Sequence, residues 1–246
     1  MHAHIWHGHY EKNKYTLLKT IETYNIEKMF VSPLGNQHPD EEMVADLNNE
    51  MEKFKKENPD KIEGYVYISP EHKNAIDVLK KGIEEQGMTG VKFWVSEKCD
   101  SSVVNPIAEK IIEYNVPLLI HAFKKTFGQL EDESTSVNVR NLALRYPELK
   151  IIMAHVDGNC YHGVQLVREL NNVWIDISGS MNRAGEVEYT LENIPEDRIL
   201  FGTDSPGCFA PAYGKLLEAD IAENVKQKIF YDNTIKLFNR NFKIQE

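Results

Sequence analysis

Two of the chain's 9 histidines close apolar runs: Val116-Pro117-Leu118-Leu119-Ile120 ends in His121, and Ile151-Ile152-Met153-Ala154 ends in His155. A third run, Ile199-Leu200-Phe201-Gly202-Thr203, ends in Asp204, and His2-Ala3-His4 heads another. Imidazoles and carboxylates at the ends of successive buried strands are donors for a divalent metal ion. A parallel barrel with one metal centre at its C-terminal rim brings such ends together. Residues i and i+2 of a strand point to one side, so His2 and His4 face together. Each residue alone has a plainer explanation: a solvated terminus for His2 and His4, a hydrogen-bonded core imidazole for His121 and His155, a helix N-cap for Asp204. Taken jointly, the set predicts a metal-dependent enzyme.

The elements that must position these residues alternate along the whole sequence. Strands are predicted at His2–Trp6, Lys28–Ser32, Glu63–Ile68, Gly90–Val95, Val116–His121, Lys150–His155, Val173–Ile177 and Ile199–Asp204. Helical stripes lie between them: Met43, Val44, Leu47, Met51 and Phe54; Ile76, Leu79 and Ile83, stopped by Gly87; and Val104, Ile107, Ala108, Ile111 and Ile112, with Ser101 or Ser102 as N-cap. Val225–Asn239 reads as closing helices in which Ile229, Phe230, Ile235, Leu237 and Phe238 pack inward. Repeated strand-helix units without hairpins predict an α/β fold, a slightly distorted (β/α)8 TIM barrel, as one domain over residues 1–246. An open doubly wound sheet would carry a glycine-rich phosphate turn after its first strand, and none is present.

Composition narrows the partners. A net charge of -10 without a basic stripe argues against nucleic acid and anionic membranes. No apolar segment approaches the ~18 residues of a spanning helix. The first residues lack the basic and apolar regions of a signal peptide, so a cytoplasmic location is expected. The 3 cysteines show no paired spacing, which predicts reduced thiols. Cys99, Cys160 and Cys208 each follow a predicted strand, so a thiolate cluster on one rim is a further arrangement beside free loop thiols. His38, His72 and His162 read as surface residues.

His2-Ala3-His4, Gly90-Val91-Lys92-Phe93, Pro117-Leu118-Leu119-Ile120-His121-Ala122, Met153-Ala154-His155 and Phe201-Gly202-Thr203-Asp204-Ser205-Pro206 resemble the motifs of the amidohydrolase superfamily. The resemblance is to the amidohydrolase-related branch that also holds enzymes of the aminocarboxymuconate-semialdehyde decarboxylase type. Asp232-Asn233-Thr234-Ile235-Lys236-Leu237-Phe238 is similar to that branch's closing Asn-x-x-Arg-Leu-Phe segment. The likeness spans essentially the whole chain. It implies that His2, His4, His121 and Asp204 hold one divalent metal ion, zinc by default, with His155 a catalytic non-ligand beside it. Asp204 would then accept a proton from water, and His155 would orient the nucleophile or stabilise an oxyanion.

The sequence departs from that pattern in two places. The family's Asp two residues before its first histidine falls before Met1, and His7-Gly8-His9 offers a second candidate couple. The family's His-x-Gly-Gly reads His155-Val156-Asp157-Gly158, and the extra carboxylate would repel an anionic substrate or serve as a second base. Lys92 has three readings: carboxylated bridge between two metals, partner of a substrate carboxylate, or solvated loop lysine. Trp6, Trp94 and Phe123 flank the rim and can wall a planar substrate or pack beneath loops. Lys124-Lys125 form a local positive spot. The expected activity is a metal-dependent hydrolase using a metal-activated water on a small carboxylated amide, lactone or cyclic imide. A non-oxidative decarboxylase and a non-catalytic, metal-stabilised binding module are the alternatives, and a homo-oligomer stays open.

Overall fold

The computed structural model describes residues 2–179 and 183–238. Its strands are β1 (Ala3–Trp6), β2 (Met29–Leu34), β3 (Ile62–Tyr67), β4 (Gly90–Phe93), β5 (Leu118–Ile120), β6 (Ile151–Met153), β7 (Val173–Asp176) and β8 (Ile199–Leu200). They pair in parallel and in sequence order, the arrangement of a (β/α)8 TIM barrel. The apolar runs are continuous because a barrel strand is covered on both faces, by its neighbours' interior side chains and by outer helices.

Those helices are α1 (Tyr10–Thr23), α2 (Glu41–Glu57), α3 (Ala75–Lys80), α4 (Asn105–Tyr114), α5 (Ser136–Arg145), α6 (Cys160–Val167), α7 (Glu186–Asn193), α8 (Phe209–Leu217), α9 (Glu223–Gln227) and α10 (Asn233–Phe238). Val44, Leu47, Met51 and Phe54 form the buried stripe of α2, whose N-cap is Asp40, accepting from the Met43 amide at 2.8 Å. α3 runs on as a π-helical turn, Lys81–Glu85, before Gly87 turns the chain at φ +66°. Neither Ser101 nor Ser102 caps α4: a 3-10 turn over Ser102–Val104 intervenes, and the helix starts beside Pro106. The closing segment is two short helices joined by a π turn, Lys228–Asp232. Ile229, Leu237 and Phe238 are buried, Phe230 and Ile235 half-buried, and Asn239 lies outside the described residues. No helix among the described residues is long and apolar enough to cross a membrane.

Strand ends are shorter than the apolar runs suggest. His121 and His155 follow β5 and β6 rather than close them, and the chain from Phe201 to Asp204 leaves the ladder. Local bonds replace ladder bonds there. The Phe201 amide donates to the Ile229 carbonyl at 3.1 Å, and the Thr203 and Asp204 amides both donate to the His2 carbonyl at 2.9 and 3.0 Å. A single bridge, Ala3 to Asp204, joins the last strand region to the first and accounts for the distortion at this seam.

Asn48 ties α2 to the barrel. Its Oδ1 accepts from the Tyr67 amide at 2.8 Å, and its Nδ2 donates to the Tyr67 carbonyl at 2.9 Å. Tyr67 packs with Leu34, Val44 and Leu47, against which Trp6 and Trp94 rest. Asn48→Ala leaves buried backbone polar groups unpaired, at about 2–4 kcal/mol. Calorimetry is expected to show a melting temperature lower by roughly 5–10 °C; a shift under about 2 °C would remove Asn48 from this role.

Candidate metal centre

β1, β2, β7 and the segment after β8 bring one compact group together. His2 Nε2 and His4 Nε2 lie 2.8 Å apart, and Asp204 Oδ1 lies 3.2 Å from His4 Nε2 and 3.9 Å from His2 Nε2. The other ring nitrogens are engaged elsewhere. His2 Nδ1 donates to Asp176 Oδ2 at 2.9 Å, and His4 Nδ1 lies 2.8 Å from Ser32 Oγ and 3.4 Å from the Ser32 carbonyl. A carboxylate and a carbonyl only accept, so both Nδ1 atoms carry the protons and both Nε2 atoms carry lone pairs. Burial, assisted by the Lys92 ammonium, holds the His2 imidazole well below its ordinary pKa, and burial also lowers His4. Two neutral imidazoles and a carboxylate, aiming lone pairs at one point with no proton between them, fit a divalent cation. Among the described residues, His2, His4 and Asp204 are the group whose donor atoms all lie within 4.8 Å of one another.

His121 stands one imidazole away from that group. Its Nδ1 faces His155 Nε2 at 3.2 Å, and its Nε2 donates to Glu133 Oε1 at 2.9 Å. His155 Nε2 in turn lies 3.9 Å from Asp204 Oδ1, and the His155 Nδ1 lies 3.1 Å from Ser178 Oγ. Burial pushes His155 down to about 3 and lowers His121, although Glu133 opposes the latter.

Lys92 is not a solvated loop residue. It sits on β4 with 0% exposure, and its Nζ has no hydrogen-bond partner among the described residues. Burial pushes it down to about 8, against the pull of Asp204 and Asp176. Trp6 meets Trp94 edge-on at 5.6 Å and His4 at 6.4 Å, while Phe123 stacks on His121 at 6.1 Å. The Lys124-Lys125 spot is largely cancelled, because Lys125 Nζ pairs with Glu133 at 2.7 Å.

The alternative couple does not assemble: His7 and His9 are exposed around Gly8, and His7 faces Glu50 at 3.8 Å. The cysteines form no thiolate cluster among the described residues; Cys99 is buried, which pushes its thiol up to about 12, and burial also raises Cys160. Asp157 does not point into the centre. It is fully buried against Ser136 and His162, so His162 is a partner of a buried carboxylate rather than a free surface histidine.

Sequence reasoning missed Asp176, Ser178, Ser32 and Glu133. Asp176 had a signal: a carboxylate closing the apolar run Val173-Trp174-Ile175, as Asp204 closes its own. A Cβ on Gly202 would collide with the Asp176 carboxylate, which explains the glycine there. Ser32 ends the predicted strand Lys28–Ser32 and faces His4 from β2, whereas Ser178 and Glu133 are placed by loop geometry and carry no comparable pattern.

Residues 1–240 match the family model described as amidohydrolase. No curated protein matches the chain. Solved structures similar to it include one described as amidohydrolase II, with TM-score 0.77, 15% identity, and coverage of 97% of this chain and 98% of that one. A 2,6-dihydroxybenzoate decarboxylase from Rhizobium has TM-score 0.73 and 19% identity, covering 90% and 87%. A dihydroxybenzoic acid decarboxylase from a Polaromonas species, holding manganese and the inhibitor 2-nitroresorcinol, has TM-score 0.72 and 18% identity, covering 91% and 86%.

Lys92 gives a direct test of the site's cost. Below pH 8 its ammonium is charged in both the folded and unfolded chain, and in the folded chain it is buried without a hydrogen-bond partner among the described residues. Between pH 8 and 10.5 the folded state has released the proton and the unfolded state has not, so stability rises with pH. In the metal-free protein, Lys92→Met is expected to gain about 3 kcal/mol at neutral pH, and the gain shrinks towards pH 10. Denaturant titration at both pH values checks this; a destabilised variant, or a gain independent of pH, contradicts it.

Proposed function

The chain belongs to the amidohydrolase family, and on that footing we propose that it is a metal-dependent hydrolase of a small carboxylated molecule, an amide, lactone or cyclic imide. The observation that carries this is the convergence of His2 Nε2, His4 Nε2 and Asp204 Oδ1, with both imidazole protons committed elsewhere. His121 is the proposed fourth ligand, facing the group across His155. A divalent ion held there supplies a Lewis acid that polarises a substrate carbonyl and lowers the pKa of water to about 7.

The chain's own residues supply the rest. Asp204, whose Oδ1 lies 3.2 Å from His4 Nε2 and 3.9 Å from His155 Nε2, accepts a proton through its carboxylate. Ser178 Oγ lies 3.2 Å from His2 Nδ1 and 3.1 Å from His155 Nδ1. With His2 Nδ1–H as donor, the Ser178 hydroxyl gives its proton to His155 Nδ1 and leaves His155 Nε2–H donating to His121 Nδ1 at 3.2 Å, with Asp204 Oδ1 3.9 Å away. With His121 Nδ1 taken up as the proposed fourth ligand, that neutral N–H would be free to stabilise a developing oxyanion. Lys92 is the proposed partner of the substrate carboxylate, since its ammonium is buried and has no hydrogen-bond partner among the described residues. Trp6 and Trp94 on one side and Phe123 on the other suit a flat substrate between them.

Those aromatic walls favour a second reading, non-oxidative decarboxylation of an aromatic acid, and two of the similar structures are decarboxylases of that kind. Zinc suits the donor set, and the Polaromonas relative's manganese makes that ion the alternative.

Elemental analysis of the purified protein is expected to find about one zinc or manganese per chain. Chelation is expected to abolish turnover and re-addition of the ion to restore it. Asp204→Asn is expected to lower kcat by about 10²–10⁴ with the fold intact. Oxygen from ¹⁸O-water in the product identifies hydrolysis, and released CO2 identifies the decarboxylase. Full activity in chelator, with no bound metal, would falsify both.

A further inference from the structure

His155, Val156 and Asp157 adopt left-handed backbone angles in succession, with φ of +65°, +47° and +64°, before Gly158 at +63°. Single residues of this kind are uncommon outside glycine, asparagine and aspartate, and a β-branched valine is the least suited to it. Such a run persists only where the surroundings over-determine it. The surroundings here converge on one side chain. Asp157 is 0% exposed, and its Oδ1 accepts from the Ser136 amide at 2.8 Å. Its Oδ2 accepts from Ser136 Oγ at 2.6 Å and from His162 Nδ1 at 2.9 Å. The Asp157 carbonyl also accepts from the Lys124 amide at 2.7 Å.

We propose that Asp157 is a positioning residue for His155: its carboxylate clamps the left-handed turn to the first turn of α5 and thereby aims the His155 ring between His121 and Ser178. The N-terminus of α5 supplies an otherwise unpaired amide and a favourable dipole for the anion. Gly158 and Gly163 admit the clamp, because a Cβ at either would collide with the Phe123 ring or with Asp157 itself. The inference rests on the reading that His155 serves the proposed centre, but its test does not depend on turnover.

The test compares imidazole ¹⁵N–¹H spectra and melting temperatures of the zinc-loaded full chain, its Asp157→Ala variant, and the double variant Asp157→Ala with Val156→Gly. The His155 signals are identified by their loss in His155→Gln. Asp157→Ala is expected to shift or split them and to lower the melting temperature by roughly 5–10 °C. Glycine at position 156 makes the left-handed turn accessible without the clamp, so the double variant is expected to return the His155 signals towards the wild-type position. Unchanged His155 signals in Asp157→Ala overturn the proposal even if stability falls, because Asp157 then only anchors α5. Failure of the glycine to restore them overturns it as well. Should Asp157→Ala not fold, Ser136→Ala removes one bond of the clamp: displaced His155 signals support the proposal and unchanged ones overturn it. A chain that retains no zinc counts against the metal reading alone, and the His155 comparison stands in the metal-free protein.

Discussion

At the seam between β8 and β1, the amides of Thr203 and Asp204 both donate to the carbonyl of His2, and Ala3 bridges to Asp204. The same few residues carry the donor atoms of the proposed metal centre, His2, His4 and Asp204. Closing the barrel and assembling the donor group are therefore one contact. The first strand cannot shift by a residue without turning both imidazoles away from the axis, since a strand's side chains alternate. Asp204 cannot relax from its left-handed φ of +65° without losing the bond that closes the ring of strands.

The barrel mouth concentrates polar groups that a stability-driven core would exclude. Lys92, His2, His4, His155, Asp176 and Ser178 are all buried there. The imidazoles are tolerated because burial keeps them neutral and because Asp176, Ser32 and Ser178 take up their protons or lone pairs. Lys92 is the exception, an ammonium with no hydrogen-bond partner among the described residues, and Asp176 is pushed up by burial despite the bond from Ser178. Such a buried cation beside a cluster of lone pairs is a cost to the folded state.

Strain is concentrated beside the same mouth. The non-glycine residues with positive φ include His155, Val156, Asp157 and Asp204, all at loops that follow β6 and β8. Each costs on the order of 1–2 kcal/mol in an L-residue. The departure from glycine at position 157 looked, in sequence, like a second base or a repulsive charge near the substrate. The carboxylate instead turns outward to the α5 N-terminus, where it accepts from the Ser136 amide at 2.8 Å. Whether a loop carboxylate faces a cavity or a helix end depends on backbone angles that residue types do not specify.

Much of the fold and part of the site were legible in the chain itself. The apolar runs located each of the β-strands, because parallel strands covered on both faces need uninterrupted apolar side chains, and the stripe of α2 emerged at its helical period. The alternation of His2 and His4 and the acid after Ile199-Leu200 marked candidate donor residues whose side chains the fold brings together, because metal chemistry restricts the side chains that can serve it. Tertiary structure alone decided which of these meet. It separated His121 from the compact group by the width of His155, gave its far nitrogen to Glu133, sealed Lys92 inside, and supplied Asp176 and Ser178 from a strand and loop more than 170 positions away from His2. Local sequence constrains what a side chain can do, but only the closed ring of strands fixes distances between residues so far apart along the chain.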